Sequence, residues 1–228
     1  MIQQTVWPPA LPSSKRKGTE MKFDLHLHTT RHSPDSSMDP YDMLQRAREL
    51  GLEGVVITEH DWLWTEKELD ELRGAAPELL VFAGVEVSTR QGHFLAYGIK
   101  NPFSLPRGIH VADMCREVHR QGGVVVAAHP FRFGQRFLDI LNRDRPDLDG
   151  LELMTSNMDA ECRRKAAEVF AQRQLAGLGS SDAHHEDVLG FCYTEFEGTI
   201  RDLSDLVDGI RQRCTTPHER SDLAVGVL

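Results

Sequence analysis

Short apolar runs alternate with longer amphipathic segments through most of the chain. Residues 124–128 read Val-Val-Val-Ala-Ala, and such a run is typical of a strand that is buried on both faces of a sheet. We predict strands over 22–28, 54–58, 79–88, 93–99, 124–128, 150–154 and 176–180. Gly92 separates the third and fourth of these strands and predicts a hairpin between them.

The segments between the strands have helical spacing and helical end signals. Asp39 followed by Pro40 is typical of an N-cap and a first helical residue, and Gly51 suits the position after a helix end. We predict helices over 41–50, 65–73, 111–121, 135–142, 159–174 and 199–213. This alternation predicts an α/β fold with a mostly parallel sheet, and about seven strands indicate one closed or nearly closed barrel.

The composition is that of an ordinary globular protein, with 40% hydrophobic and 27% charged residues. A length of 228 residues suits one large domain or two small ones, and the even composition favours one. We therefore predict a flexible leader over residues 1–20, a main domain over 21–213 and a polar tail over 214–228.

Charge and cysteine usage narrow the possible partners and location. The net charge of −9 argues against an autonomous nucleic-acid binder, although nucleotides and short oligonucleotides stay compatible with it. The four cysteines are widely spaced without a C-x-x-C pair, which indicates reduced thiols. No apolar run approaches the roughly 18–20 residues that span a membrane, and residues 1–20 lack the apolar core of a signal peptide. We expect a cytoplasmic protein without membrane contact.

The first predicted strand contains the run Asp24-Leu25-His26-Leu27-His28. Alternate side chains of a strand share a face, so the two histidines point the same way and could converge on one metal ion. By itself such a pair is equally compatible with a histidine-rich surface strand. Asp182 and His184, after the last predicted strand, repeat the same two-residue spacing.

Further metal-ligand residue types lie within or next to most of the predicted strands, with Glu86 inside the third strand and His93 at the start of the fourth. The carboxyl ends of barrel strands are where reactive groups collect, so these residues predict one shared metal site. Glu86 lies between two valines, where a carboxylate is costly to bury without a partner. The residues in question are His32, Asp35, His60, Glu86, His93 and His129. In contrast, we expect His110, His119 and His218, on helices or in the tail, to be ordinary polar residues.

Four spaced motifs carry a resemblance to a known family. They are Asp24-Leu-His26-Leu-His28-Thr29 with Ser33-Pro-Asp35-Ser36, then Ile57-Thr-Glu-His60-Asp61, then Gly84-Val-Glu86-Val-Ser with Gly92-His93 and Ala128-His129-Pro130, and finally Gly179-Ser-Ser-Asp182-Ala-His184. Over roughly residues 21–213 the sequence resembles the PHP (polymerase and histidinol phosphatase) family, and especially its small stand-alone metal-dependent phosphoesterases. The resemblance implies a distorted TIM-like (β/α)7 barrel.

The resemblance also implies a set of metal ligands. One ion would be held by His26, His28, Glu86 and Asp182, and Glu86 would bridge to a second ion at His93 and His129. Asp35, His60 and His184 would be the remaining set, which in some members binds a third ion. His32 competes with Asp35 for the loop position, and the Ser-Pro-Asp-Ser context favours Asp35. Glu59 and His185 are expected outside the ligand set.

The ligand types indicate which cofactors and chemistry to expect. An imidazole-rich set favours Zn, Mn or Fe over Mg or Ca, so we expect two or three such divalent ions. Clustered cations suit phosphoryl chemistry, and we expect metal-bound hydroxide to attack phosphorus in a small phosphate ester such as a nucleotide or sugar phosphate. Glu86 and Asp182 are the expected catalytic residues. Arg132 is either a phosphate ligand or a surface charge, and Asn157 either contacts substrate or caps a helix.

Several other functions are compatible with a similar set of residues. An amidohydrolase would use a related barrel, but it usually has a lysine bridge where this chain offers Glu86. A histidinol-phosphate phosphatase is possible within the family, although the chain is short for one. An exonuclease acting on oligonucleotides would share the metals, and the acidic composition disfavours it. A non-catalytic PHP scaffold is disfavoured by the full set of candidate ligands.

Overall fold

The computed structural model describes residues 20–221, which form one sheet of nine strands surrounded by helices. The strands are β1 Glu20–Leu27, β2 Gly54–Ile57, β3 Leu80–Ser88, β4 His93–Tyr97, β5 Val124–Ala127, β6 Gly150–Met154, β7 Ala176–Gly179, β8 Cys192–Glu197 and β9 Thr215–Glu219. The helices are α1 Pro40–Glu49, α2 Glu66–Ala75, α3 Val111–Arg120, α4 Phe137–Asp139, α5 Ala160–Gln172 and α6 Leu203–Arg211.

The strand order is β7-β6-β5-β4-β3-β2-β1-β8-β9. Four neighbouring pairs are parallel and four are antiparallel, so the pairing is mixed rather than mostly parallel. Only β4 and β8 run against the common direction of the other strands. The two ends of the sheet approach each other, and Thr215 Oγ1 donates to Gly177 O over 3.1 Å. The predicted α/β barrel is therefore confirmed as a nearly closed one.

Two strands were not predicted from the sequence. β8 pairs antiparallel with β1 and buries only alternate residues, so it lacks the continuous apolar run of the other strands. β9, Thr-Thr-Pro-His-Glu, has no apolar alternation at all and pairs with β8 within the predicted polar tail. Its Pro217 is tolerated because β9 ends the sheet. The predicted leader lies outside the described residues except for Glu20, which begins β1.

Two predicted helices are shorter than expected. The helix predicted over 135–142 is the single turn α4, which continues into a π-helical turn at Ile140–Asp144. The helix predicted over 199–213 begins only at Leu203, because Asp202 is its N-cap and accepts from Asp205 N. Among residues 20–221, none of the helices has the length and apolarity that crossing a membrane requires.

A buried apolar cluster fills the inside of the barrel. It takes side chains from seven strands, including Phe23 and Leu25 of β1, Phe82 of β3 and Tyr97 of β4. Two further clusters lie between the outside of the sheet and the helices, one against α1 and α2 and one against α3 and α5. Because β4 runs backwards, its first residue lies at the same end of the barrel as the carboxyl ends of β1, β2, β3 and β5.

A register shift in β1 changes which face its side chains use. The pairing with β2 slips between Asp24 and Leu27, as in a β-bulge. Leu25 consequently packs inside the barrel, whereas Leu27 packs in the outer cluster against α1. Simple alternation would place Asp24 on the same face as the two histidines. Its carboxylate instead accepts hydrogen bonds from the main-chain nitrogens of Ser181 and Gly190.

Candidate metal centre

Candidate ligands from six separate parts of the chain meet at one end of the barrel. Within the described residues, four sets of three donor atoms lie within 4.8 Å of one another and could each hold a metal ion. The sets are His28, His60 and His184; His26, His28 and Asp182; His26, Glu86 and His129; and His60, Glu86 and His93. These sets share members, so the site is one connected cluster.

The most buried part of the cluster is the first group, which consists of His26, His28, Glu86 and Asp182. His26 Nε2 lies 3.1 Å from His28 Nε2 and 3.2 Å from Asp182 Oδ1. The carboxylate of Glu86 lies 3.6 Å from the first histidine and 3.4 Å from the second. Donor atoms that are each about 2.1 Å from one cation lie about 3.0–3.4 Å apart, so this spacing fits a single ion.

The second ring nitrogen of each histidine in the first group already has a partner. His26 Nδ1 lies 3.0 Å from Glu152 Oε1, and His28 Nδ1 lies 3.2 Å from Ser33 Oγ. Each Nδ1–H can therefore donate outwards, which leaves the lone pair of Nε2 directed at the centre of the group. Two facing lone pairs repel each other unless a proton or a cation lies between them.

Glu86 is the residue that connects the first group to the second group, which consists of Glu86, His93 and His129. Its Oε1 lies 2.9 Å from His93 Nδ1 and 3.0 Å from His129 Nε2. Its Oε2 is buried, and the nearest ring nitrogens are His60 Nδ1 at 2.7 Å and His28 Nε2 at 3.4 Å. A buried carboxylate is costly unless protons or a cation lie between it and the surrounding imidazoles, and a bound cation would fill that role.

The third group consists of Asp35, His60 and His184 at the mouth of the barrel. Asp35 Oδ2 lies 3.1 Å from His60 Nε2 and 3.5 Å from His184 Nε2. The other nitrogen of His60 lies 2.7 Å from Glu86 Oε2, so this ring lies between the second and third groups. His184 Nδ1 can donate to Asp182 O at 3.0 Å, which leaves its Nε2 directed at Asp35.

Opposite charges in the cluster determine the pKa values of its members. Burial raises the pKa of Glu86, but His26, His129 and His60 hold it well below its usual range. Burial has the opposite effect on His60 and lowers its pKa. The nearby carboxylates of Glu86 and Asp35 outweigh burial and raise this pKa to about 9. The carboxylates thus stay ionised among histidines. Divalent cations would replace the protons that these histidines otherwise carry.

The backbone at the strand ends is strained where it presents these side chains. Asp182 has φ 52° and His129 has φ 28°, and neither is glycine. Left-handed conformations of non-glycine residues persist where the surrounding structure holds them, and they are common at functional sites. Asp182 follows β7 and His129 follows β5, so both strained residues are members of the cluster.

Both predicted substrate ligands contact the outer oxygen of Asp182. Arg132 Nη1 lies 3.2 Å from Asp182 Oδ2, and Asn157 Nδ2 donates to the same oxygen over 2.8 Å. Asn157 is not a helix cap, because Asp159 caps α5 by accepting from Cys162 N. Arg132 is half-buried at the edge of the cluster rather than a free surface charge.

The remaining histidines lie away from the cluster. His32 pairs with Glu68 Oε1 at 2.9 Å and stacks on Trp62, so Asp35 is the loop residue that faces the site. His185 is exposed beside Glu186 and Asp187. Three others have structural partners, namely His110 with Asp144, His119 with Asp149 and His218 with Tyr193.

Three buried carboxylates outside the predicted ligand set support the cluster. Glu59 accepts from Ser33 Oγ and from Trp64 Nε1, so it is linked to His28 through the serine, and it belongs to none of the four donor sets. Asp24 and Glu152 are also fully buried. The sequence contained a signal for Glu152, because Leu151 and Leu153 flank it as two valines flank Glu86.

Two family models match the chain over the segments that supply most of the cluster. The model of the PHP domain matches residues 24–122, and the model described as PHP-associated matches residues 161–215. An uncharacterized protein of Methanocaldococcus jannaschii is 28% identical over 150 residues, which are 60% of this chain and 82% of that protein.

Solved structures share the fold at lower identity. A two-domain protein of Bacteroides vulgatus containing a predicted PHP-like metal-dependent phosphoesterase superposes with a TM-score of 0.69 at 20% identity, over 91% of this chain and 70% of that one. PsfC of Pseudomonas syringae superposes with a TM-score of 0.66 at 20% identity, over 89% of this chain and 92% of that one. The lesion-specific endonuclease EndoQ of Pyrococcus furiosus superposes with a TM-score of 0.60 at 18% identity, over 85% of this chain and 56% of that one. The chain belongs to the PHP domain family.

Proposed function

We propose that the protein is a metal-dependent phosphoesterase that hydrolyses a small phosphate ester, such as a nucleotide or a sugar phosphate. The observation that carries the proposal is the buried carboxylate of Glu86, whose two oxygens lie within 3.6 Å of ring nitrogens from five histidines. A carboxylate between several imidazoles is suited to bridging two cations. The ligand types favour Zn, Mn or Fe.

In this proposal the first group, the second group and the third group hold two or three divalent ions. When bound, such ions activate water and stabilise the negative charge that develops on the phosphoryl oxygens. Glu86 and Asp182 orient the histidine nitrogens around them and keep the cluster neutral enough to accept an anionic substrate. We further propose that Arg132 binds a phosphate oxygen and that Asn157 donates a hydrogen bond to substrate. Their contacts with Asp182 Oδ2, at the edge of the cluster, support these roles.

Hydrolysis of nucleic-acid ends is the alternative within the same chemistry. The fold is shared with an endonuclease, which supports that alternative only at the level of architecture. The net charge of −9 disfavours a long polyanionic partner, because affinity for nucleic acid rests on neutralising phosphates with Lys and Arg. We therefore favour a substrate with one or a few phosphates.

A substrate panel on metal-stripped protein tests the proposal. Nucleotides, sugar phosphates, short oligonucleotides and phosphate-free amides would each be offered with Mn, Zn or Fe, and the released product measured. We expect phosphate release from small esters only after metal is added. Cleavage of the amides without cleavage of any phosphate ester would assign the protein to the amidohydrolases instead.

A further inference from the structure

Glu152 lies directly behind the cluster and belongs to none of its three groups. It lies on β6 and is fully buried between Leu151 and Leu153, on the strand face that points into the barrel. Its Oε1 lies 3.0 Å from His26 Nδ1 and also accepts from Ser180 Oγ. Its Oε2 accepts from His129 N over 2.6 Å. Both oxygens are thus occupied by donors from other parts of the barrel.

We propose that Glu152 is a positioning residue that couples the ion of the first group to the ion of the second group. One oxygen orients the ring of His26, and the other fixes the main chain that carries His129. The inference rests on the proposed metal-dependent function and extends it to a residue that contacts no ion. Its consequence is that a change at Glu152 disturbs both ions together.

The contact with His26 determines which ring nitrogen is available. A proton held on Nδ1 by the carboxylate leaves the lone pair on Nε2, the atom that lies 3.2 Å from Asp182 Oδ1. Histidine ligands commonly donate their second nitrogen to a carboxylate, and loss of that partner typically weakens metal affinity about 10–100-fold. Glu152 therefore sets both the tautomer and the orientation of this ring.

The contact with His129 acts through the backbone instead of the ring. His129 has a left-handed φ of 28°, which is unfavourable for a residue with a side chain. The hydrogen bond from its N–H to Glu152 holds this conformation. In that conformation the ring places Nε2 3.0 Å from Glu86 Oε1. The same carboxylate thus reaches one ligand of each group.

A glutamine at this position cannot make both contacts. Its side chain has almost the same shape, but only one terminal atom accepts hydrogen bonds and the other is a donor. If the amide oxygen faces His26, the NH₂ group faces the N–H of His129, and the reverse orientation leaves the imidazole without an acceptor. Glu152→Gln therefore separates the coupling role from simple packing.

Metal affinity is the measurement that tests the inference. Metal-free wild-type, Glu152→Gln and Glu195→Gln proteins would be titrated with Zn²⁺ against a coloured chelator, and their Co²⁺ complexes compared by visible absorption. We expect at least about tenfold weaker binding of two ions and a changed cobalt spectrum for Glu152→Gln. Glu195, on β8 beside His218, provides the same chemical change away from the cluster and should leave both readouts unchanged.

Two results would overturn the inference. One is an unchanged cobalt spectrum with zinc affinity within about threefold of wild type, and the other is weakening confined to a single ion. If Glu152→Gln does not fold, Glu152→Asp withdraws both oxygens by one methylene and carries the same expectation and the same contradiction. If wild-type protein binds metal but hydrolyses no phosphate ester, the proposed function is wrong. The role of Glu152 in metal binding would not be affected by that result.

Discussion

Asp182 is the residue at which the buried cluster meets the substrate side of the site. Its Oδ1 lies 3.2 Å from His26 Nε2 and 3.3 Å from His28 Nε2, whereas its Oδ2 faces Arg132 and Asn157. One carboxylate thus faces the proposed ion with one oxygen and the proposed substrate ligands with the other. A phosphate that approaches the ion would meet the guanidinium beside it.

Arg132→Ala is the substitution that tests this division. Loss of a charge-assisted hydrogen bond to phosphate is worth about 1.5–3 kcal/mol, so we expect kcat/KM to fall about 10–100-fold, mainly through KM. Metal content should not change, because the first group does not include the arginine. Steady-state kinetics and metal analysis check this, with Arg136→Ala as the matched control, since Arg136 is exposed and pairs with Asp139. Loss of metal with an unchanged KM would instead make Arg132 a support for Asp182.

The sequence predicted the roles of some site residues but not of others. The proposed ligands at strand ends could be found because histidine and carboxylate are unusual beside buried apolar runs. Glu59, expected outside the ligand set, belongs to none of the four donor sets, and its four hydrogen bonds account for its burial. The support from Glu152 was missed because its contacts reach His26 across the barrel and residues that follow the two neighbouring strands, so they depend on the barrel's strand order. Sequence spacing does not contain that order.

At the scale of elements, β1 and β9 show where local patterns are insufficient. The bulge in β1 turns both Leu25 and the following histidines towards the barrel interior, and a strict two-residue period does not predict it. β9 forms because β8 offers it a free edge, although its own residues have no strand signal. Continuous apolar strands such as β5 depend less on such context and were predicted almost to the residue.

One titratable pair adds a polar contact to the apolar packing of α3 against the sheet. His119, near the end of α3, lies 2.8 Å from Asp149 Oδ2, and the same oxygen accepts from Val125 N of β5. The hydrogen bond to Asp149 raises the pKa of His119 above its usual value of 6.5. Burial and the nearby charge of Arg211 lower this pKa by a smaller amount. Because the folded state binds this proton more tightly, the pair stabilises the fold below pH 6.5 and loses that effect as pH rises through the raised pKa.

His119→Gln should therefore destabilise the protein in a pH-dependent way. We expect the free energy of unfolding to drop by about 1 kcal/mol near pH 6 and by clearly less near pH 9, given the partial exposure of the pair. Urea unfolding of wild type and variant across that pH range measures the difference. A loss that stays constant or grows with pH would show that the protonated pair does not stabilise this contact.

At the scale of the whole molecule, the barrel brings distant parts of one chain to a common end. The residues of the first group lie as far apart in sequence as His26 and Asp182, and Leu27 bridges directly to Ala183 to join the two segments. The β3–β4 hairpin turns back so that Glu86 and His93 meet within 2.9 Å. Barrel closure is thus a condition for the site, and the apolar interior cluster beneath it stabilises that closure.

In the proposed function, Glu86 holds the metal ions that this chain needs to hydrolyse phosphate esters. Phosphate release by metal-free wild type and Glu86→Ala, titrated with Mn²⁺ while bound metal is counted, tests this role. We predict that wild-type turnover rises from near zero and saturates at two or three ions per chain, whereas Glu86→Ala binds fewer ions and loses at least about 1,000-fold in turnover. Full turnover by Glu86→Ala with a normal metal content would show that Glu86 is neither a metal ligand nor needed for hydrolysis.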